Sequence, residues 1–254
     1  MDLAVNIGNS SIRIAVRKEN KIHNRQISVH AAGDIKKTVH AFGFEDLIEH
    51  CVISSVSPGL TETLYKDVKQ LAKHEIIQAE LGPGFHIDYS CYDACHLGID
   101  RALCCEAALL KTQAPFAMVD FGTATTINIV DEGRRFLGGM ILPGVAIGLS
   151  SLNSGTALLP AVTPKEGTAL IGRDTEECIS SGAIHGNAIL VENAISEMWR
   201  QLGVSGETVI TGGSAELILP SLKASYIHEP DLIIDGLFLI LDRIARPAPH
   251  MNRR

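Results

Sequence analysis

Apolar and polar positions alternate through "LAVNIGNSSIRIAV", residues 3–16, on both sides of a turn made of Gly8, Asn9, Ser10 and Ser11. That pattern predicts a β-hairpin. It returns in the second half of the chain. Set without a gap, "VNIGNSSIRIAV" from Val5 lies over "VDFGTATTINIV" from Val119, so that Asn6 falls on Asp120, Gly8 on Gly122, Asn9 on Thr123 and Ser11 on Thr125. Each half also has a later apolar strand ending in small polar residues, "CVISSVSP" around Ser54 and "TVITGGSA" around Gly212. Helical periodicity follows in "TETLYKDVKQLAKH" and "ELILPSLK". The chain therefore reads as an α/β fold of two similar halves. Pro115 interrupts a helical run in "KTQAPF", residues 111 to 116, just before the second hairpin, and sets the expected domains at residues 1–114 and 115–254. A cleft between the halves would receive both glycine turns.

With 254 residues and 27.3 kDa, length alone allows one large domain or two of ordinary size; the repeat selects two. A net charge of −7 and a pI near 5.8, with no long Lys/Arg run, argue against nucleic acid or a membrane surface as partner. The basic "RPAPHMNRR" end reads as a frayed tail. No segment approaches the roughly 20 apolar residues of a membrane helix. The first residues run straight into strand pattern without a leader, so the expected compartment is the cytoplasm. Six cysteines form no CxxC pair. Cys91, Cys95 and His96 in "CYDACH" lack a second half with metal-ligand spacing, and reduced, mostly packed thiols are expected. Cys104 and Cys105 read as helix-core residues.

Two glycine turns facing one cleft could hold a triphosphate, with main-chain N–H groups and hydroxyls as donors and an acid fixing a cation. Either turn by itself is more simply a tight turn; the repeated spacing favours the ligand reading. Between the hairpins, in "YDACHLGIDRALCCEAALL", Gly98 breaks the chain, Asp100 and Arg101 follow, and a helix is predicted from about Ala102. Asp100 reads equally as a first-turn acid or as a base for an alcohol substrate, with Arg101 neutralising an anion. Gly138, Gly139, Pro143 and Gly144 permit close backbone approaches. Thr175, beside Gly172, is a helix cap or a ligand donor. The glycines of "TGG", Thr211 to Gly213, could let an adenine lie against backbone. His96 and His185 read as ordinary polar residues.

Together, "NIGNSS", "SSVSP", "LGIDR", "DFGTATT", "GGMILPG", "LNSGTALLP", "GRDTEECISSG", "TGG" and "DLIIDGLFLI" resemble, in order and over nearly the whole chain, the type III pantothenate kinases. These belong to the sugar-kinase, actin and chaperone ATPase superfamily. The resemblance implies two actin-like, ribonuclease H-like domains with a nucleotide cleft between them. It also implies ATP-dependent phosphorylation of pantothenate to 4'-phosphopantothenate, the first step toward coenzyme A. On the matching motifs, Asn6, Ile7, Gly8, Asn9, Ser10, Ser11, Ile12, Arg13 and Thr123 would meet ATP. Tyr92, Gly98, Ile99, Asp100, Arg101 and Thr175 would line the pantothenate site, with Asp100 as proton acceptor. Asp120 would bind a monovalent cation, K⁺ or NH₄⁺, beside the Mg²⁺ carried by ATP. A homodimer is implied as well.

Two positions depart from the family pattern. Aspartate is usual where this chain has Asn6, and Asn-Pro where it has Asp93-Ala94. Asparagine keeps the shape and an acceptor oxygen but not the charge that helps hold Mg²⁺ at phosphates. Asp2, four residues back at about 3.3 Å each, lies about 13 Å away, too far to substitute. The alternative reading is a weak or inactive relative acting as a binding or regulatory protein.

Overall fold

The computed structural model describes residues 1–19, 21–29, 35–43, 48–74 and 76–246; the basic end from Pro247 lies outside the described residues. The chain divides into two compact units, Met1–His86 with Asp93–Ala107 and Asp231–Arg254, and Ile87–Tyr92 with Ala108–Pro230.

The first unit carries β1 (Asp2–Ile7), β2 (Ser11–Lys18), β3 (Lys21–Ser28), α1 (Ile35–Ala41), β4 (His50–Ser55), α2 (Pro58–Lys69), β5 (Ile76–Gln78) and α3 (Ile99–Ala108). Its strands pair in the order β3-β2-β1-β4-β5, antiparallel on the β2 side of β1 and parallel on the β4 side. Side chains alternate across the sheet. Leu3, Val5, Ile7, Ile12, Ile14 and Ile53 therefore share one face, packed with Ile35 and Val39 of α1 and Leu64 and Val68 of α2. The opposite face bears Ala4, Ala15 and Val52, also fully buried. A strand covered on both sides reads as a continuous apolar run, as "LAV" does. Helix α2 opens with Pro58 in the first turn, where its missing N–H costs nothing, and stops at Lys69, short of the predicted end.

The second unit carries β6 (Phe116–Phe121), β7 (Ala124–Val130), β8 (Phe136–Pro143), α4 (Val145–Gly155), α5 (Thr175–Ser181), α6 (Asn187–Leu202), β9 (Glu207–Thr211), α7 (Ala215–Ile218) and β10 (Ile227–His228). Read as β8-β7-β6-β9-β10, its sheet has the order and strand directions of the first. β1 and β6 are both six residues long and share one pattern of buried and half-buried positions. The internal repeat is a repeat of structure. The helix predicted in "ELILPSLK" is short: α7 has four residues and passes into a 3₁₀ turn at Leu219–Ser221, where Pro220 has no N–H to continue the ladder.

The last helix, α8 (Leu232–Ala245), belongs to the first unit. A single cut between residues 114 and 115 leaves it with the second. It packs against β1 and β4, and its Leu237, Phe238 and Leu241 are buried. Gly236 sits where a Cβ would stand 2.4 Å from the Leu103 carbonyl oxygen of α3. Among the described residues, no helix is long and apolar enough to cross a membrane. The cysteines divide evenly: Cys51, Cys104 and Cys105 are buried, whereas Cys91, Cys95 and Cys178 are exposed, so packing covers only half of them.

Candidate functional site

In the first hairpin, Gly8 N–H closes the turn on Ser11 O at 2.9 Å, and Asn9 and Ser10 are exposed at its tip. Ile7 and Ile12 are fully buried, so only their backbone is available to a ligand. Asn6 faces away from that core. It pairs in register with Arg13 on β2 and Ser54 on β4, and Ser54 donates its hydroxyl to Asn6 Oδ1 at 2.7 Å. Asp2 is not available to stand in for a carboxylate at position 6, because it is held by Arg17, Arg246 and His50 at the other end of β1.

Helix α3 begins at Ile99, three residues earlier than the sequence suggests, so Asp100 and Arg101 lie in its first turn. Gly98 O accepts the Arg101 N–H at 3.1 Å, and the same N–H reaches Asp100 Oδ1 at 2.9 Å. A Cβ at Gly98 would stand 2.6 Å from Asp100 Oδ1 and push the carboxylate from this position. Arg101 is buried and Asp100 half-buried. Burial pushes the Asp100 carboxyl above its ordinary value, against the pull of the Arg101 N–H and charge. A carboxylate with a raised pKa is suited to accepting a proton.

In the second unit, Asp120 stands on β6 beside two glycines. A Cβ at Gly212, where φ is +106°, would meet Asp120 Oδ1 at 2.4 Å, and one at Gly122 would meet it at 3.1 Å. The carboxylate thus sits in a cradle that side chains would fill, and its hard oxygens suit a cation bound by oxygen ligands. The turn continues to exposed Thr123. Gly144, preceding α4, donates its N–H to Thr123 O at 3.2 Å, and a Cβ there would lie 2.3 Å from that oxygen. This close approach sets the start of α4 against the second hairpin.

Beyond it, a cavity of about 850 Å³ opens along α4, α5 and α6. Val145, Leu149, Leu152 and Ile179 give it an apolar wall, and Thr175 and Arg173 stand at its polar side. Thr175 does not cap α5. Asp174 does, accepting the Glu177 N–H at 2.8 Å, which leaves the Thr175 hydroxyl exposed. Tyr92 meets Phe136 edge-on at 5.2 Å, and Gly138, with φ +93°, makes room where a Cβ would press on the Tyr92 ring at 3.1 Å. His96 and His185 have ordinary partners, Asp93 Oδ2 at 2.8 Å and Thr168 O at 2.7 Å.

The structure therefore groups Asn6 with Arg13, Gly98 with Asp100 and Arg101, Asp120 with Gly122 and Gly212, and Thr175 with the cavity. Sequence reasoning missed Ser54 as the residue that orients Asn6, Phe136 as the seat of Tyr92, and Glu106, a buried carboxylate on α3. A lone acid inside "RALCCEAALL" was the signal for the last. Among the described residues, no three His, Cys, Asp or Glu converge as a metal cluster.

Residues 2–197 match the family model for type III pantothenate kinase. A type III pantothenate kinase of Moorella thermoacetica is 31% identical over 260 residues, covering 96% of this chain and 99% of that one. One from Persephonella marina is 33% identical over 196 residues, 76% of each chain. Among solved structures, a Baf-family protein of Campylobacter jejuni superposes with a TM-score of 0.64 at 22% identity, covering 96% and 98% of the two chains. A candidate 2-dehydro-3-deoxygalactonokinase of Sinorhizobium meliloti does so with 0.60 at 14%, over the full length of both. These two show the fold, an actin-like pair of α/β domains. With the match across residues 2–197 and the relatives' coverage, this chain belongs to the type III pantothenate kinase family.

Proposed function

We propose that this protein transfers the γ-phosphoryl group of ATP to the primary hydroxyl of pantothenate in the cytoplasm, giving 4'-phosphopantothenate and ADP as the first step toward coenzyme A. The observation that carries the reading is Asp100. In a member of this family it is a carboxylate fixed in the first turn of α3, raised by burial and set next to buried Arg101. The hydroxyl proton passes to Asp100 as the new P–O bond forms, and the bond from Pγ to the bridging oxygen breaks to release ADP. Such a transfer asks mainly for placement of charge. Arg101 balances the pantothenate carboxylate, and Gly98 and Ile99 let the substrate approach the chain.

The hairpin from Asn6 to Arg13 meets the ATP phosphates, chiefly through backbone N–H groups, and Thr123 adds a hydroxyl from the second hairpin. Mg²⁺ bound with ATP would supply neutralisation of the charge on the phosphates. Asp120, in its glycine cradle, fits K⁺ or NH₄⁺. Tyr92 and Thr175 contact pantothenate, whose branched apolar body suits the wall formed by Val145, Leu149 and Ile179. Exposed Ile147, Leu152, Leu158, Ile171, Ile189 and Leu190 support a homodimer, which would cover them. A purely regulatory relative is not favoured, because Asp100, Arg101, Asp120, Thr123 and Thr175 are all present.

The test is pantothenate-dependent ADP release by purified protein with Mg²⁺ and K⁺, run beside Asp100→Asn. Turnover that falls by about 10²-fold or more in the variant supports the reading. A variant as fast as the parent rejects Asp100 as the base, and a parent inactive with pantothenate rejects the substrate.

A further inference from the structure

Three side chains stand in one row across the first sheet, on the face away from α1 and α2: Arg13 on β2, Asn6 on β1 and Ser54 on β4. Ser54 is fully buried and donates to Asn6 Oδ1 at 2.7 Å. An amide has an acceptor end and a donor end. This bond therefore turns the oxygen toward β4 and the two N–H donors away from it. Next in the row, the Arg13 guanidinium carries donors only. Asp231 Oδ1 lies 3.6 Å from Arg13 Nη1, longer than a strong charge-assisted hydrogen bond of about 2.7–2.9 Å. A planar fork of five N–H groups can serve several acceptors at once.

The row lies where the hairpin turns, next to the closed Gly8 loop. Helix α8 begins there as well. Asp231, immediately before it, reaches Arg13, while Asp242 in its last turn reaches Arg17 at 2.7 Å toward the far end of the strand pair. The helix thus directs the positive end of its dipole toward the row.

We infer that the first hairpin holds a nucleotide phosphate directly, with no divalent cation between: Asn6 Nδ2 donates to a phosphate oxygen and Arg13 balances its charge. This rests on the reading that residues 6–13 meet ATP phosphates. A carboxylate at position 6 repels those oxygens unless a cation bridges them. The amide removes the repulsion and presents hydrogens of the sign an oxyanion takes.

Calorimetric titration of the full chain with ATP, without pantothenate, in EDTA and in Mg²⁺, tests this against Asn6→Asp and Arg13→Gln. Ser54 can donate to an aspartate oxygen as it does to the amide, and melting curves verify that the variants are folded. In the wild type, removing Mg²⁺ is expected to weaken ATP binding less than about threefold, and in Asn6→Asp by about tenfold or more. Arg13→Gln weakens binding in EDTA by a similar factor. Adenosine affinity stays unchanged in both variants. A wild type that depends on Mg²⁺ as steeply as Asn6→Asp overturns the inference, as does an equal loss of adenosine binding, which would place the effect away from the phosphates. A folded wild type that binds adenosine but no ATP in either buffer rejects the phosphate reading of the hairpin, and this inference with it.

Discussion

Arg243 donates to Glu106 Oε2 at 2.7 Å, and this contact ties α3, the helix that carries Asp100, to α8 at the end of the chain. Glu106 is fully buried; its other oxygen accepts the His86 N–H at 2.6 Å, and Arg243 also reaches Gly84 O at 2.6 Å. A buried charge with its partner removed costs more than the pair contributes when intact. Glu106→Gln keeps the shape but leaves the Arg243 guanidinium without its counter-charge. We expect a loss of about 3 kcal/mol, read as a lower denaturant midpoint with an unchanged m-value. A variant within about 0.5 kcal/mol of the parent would show that the pair does not hold α3.

Gly212 and Gly186 separate two uses of glycine. At Gly212, φ is +106°, and a Cβ would stand 2.5 Å from the Phe121 backbone and 2.4 Å from Asp120 Oδ1. Gly212→Ala must therefore strain β9's exit and displace the Asp120 carboxylate, at a cost of about 3 kcal/mol or more. Gly186 has helical dihedrals and open space where its Cβ would go. Gly186→Ala should stabilise by about 0.5–1 kcal/mol through the unfolded chain. Thermal melts of the two variants check both signs. With Asp120 as the proposed seat of the monovalent cation, the K⁺ concentration for half-maximal rate should rise in Gly212→Ala and stay constant in Gly186→Ala.

Much of this architecture was legible because the repeat is written in polar and apolar spacing. Val5 over Val119 and Gly8 over Gly122 foretold two similar α/β halves, since a strand's period of two fixes which residues face the core; the common strand order of the two sheets came from the structure. Long-range closure was not legible. Nothing local to "DLIIDGLFLI" says that α8 returns to the first sheet; that depends on Gly236 fitting against Leu103 and on Arg17 lying 4.5 Å over the Phe238 ring. The start of α3 was misplaced because Gly98 reads as a breaker, whereas here its carbonyl accepts the first helical N–H groups. At the site, spacing pointed to Asn6 and Asp100, but which side chain orients each is a tertiary fact. Ser54 is 48 residues from Asn6 in sequence.

Asp2 should govern part of the acid stability of the protein. It is 4% exposed, and burial alone would push its carboxyl up; hydrogen bonds from Arg17 and His50 and the charge of Arg246 outweigh this and hold it below the usual value. A carboxyl lowered by folding contributes stability that is present above its unfolded pKa of about 3.9 and is lost as pH falls through the folded value. The melting temperature should therefore drop steeply below about pH 4. Asp2→Asn, which cannot ionise, should melt lower at pH 7 by the equivalent of about 2–3 kcal/mol and show a shallower acid limb. Parallel acid limbs in the two proteins would exclude Asp2 as the titrating group.

Asp100 should behave in the opposite sense, and this separates a base from a merely structural acid. Burial raises its carboxyl. A base must be ionised to accept a proton, so the acid limb of kcat/KM should lie above the ordinary aspartate value of about 3.9. A carboxyl raised by folding contributes stability that is full below the unfolded pKa and lost as pH rises through the folded one, so at pH 7 the ionised group costs stability. Asp100→Asn removes that cost. The variant should therefore melt at or above the parent temperature at pH 7, lose its advantage near pH 4, and turn over about 10²- to 10⁴-fold more slowly. A structural first-turn acid predicts the reverse: lower stability in Asp100→Asn, with the rate falling only as far as folding does. Measuring melting temperature and kcat on the same samples across pH 4–8 decides between them, because only a base whose ionised form is disfavoured by burial gains stability while it loses rate.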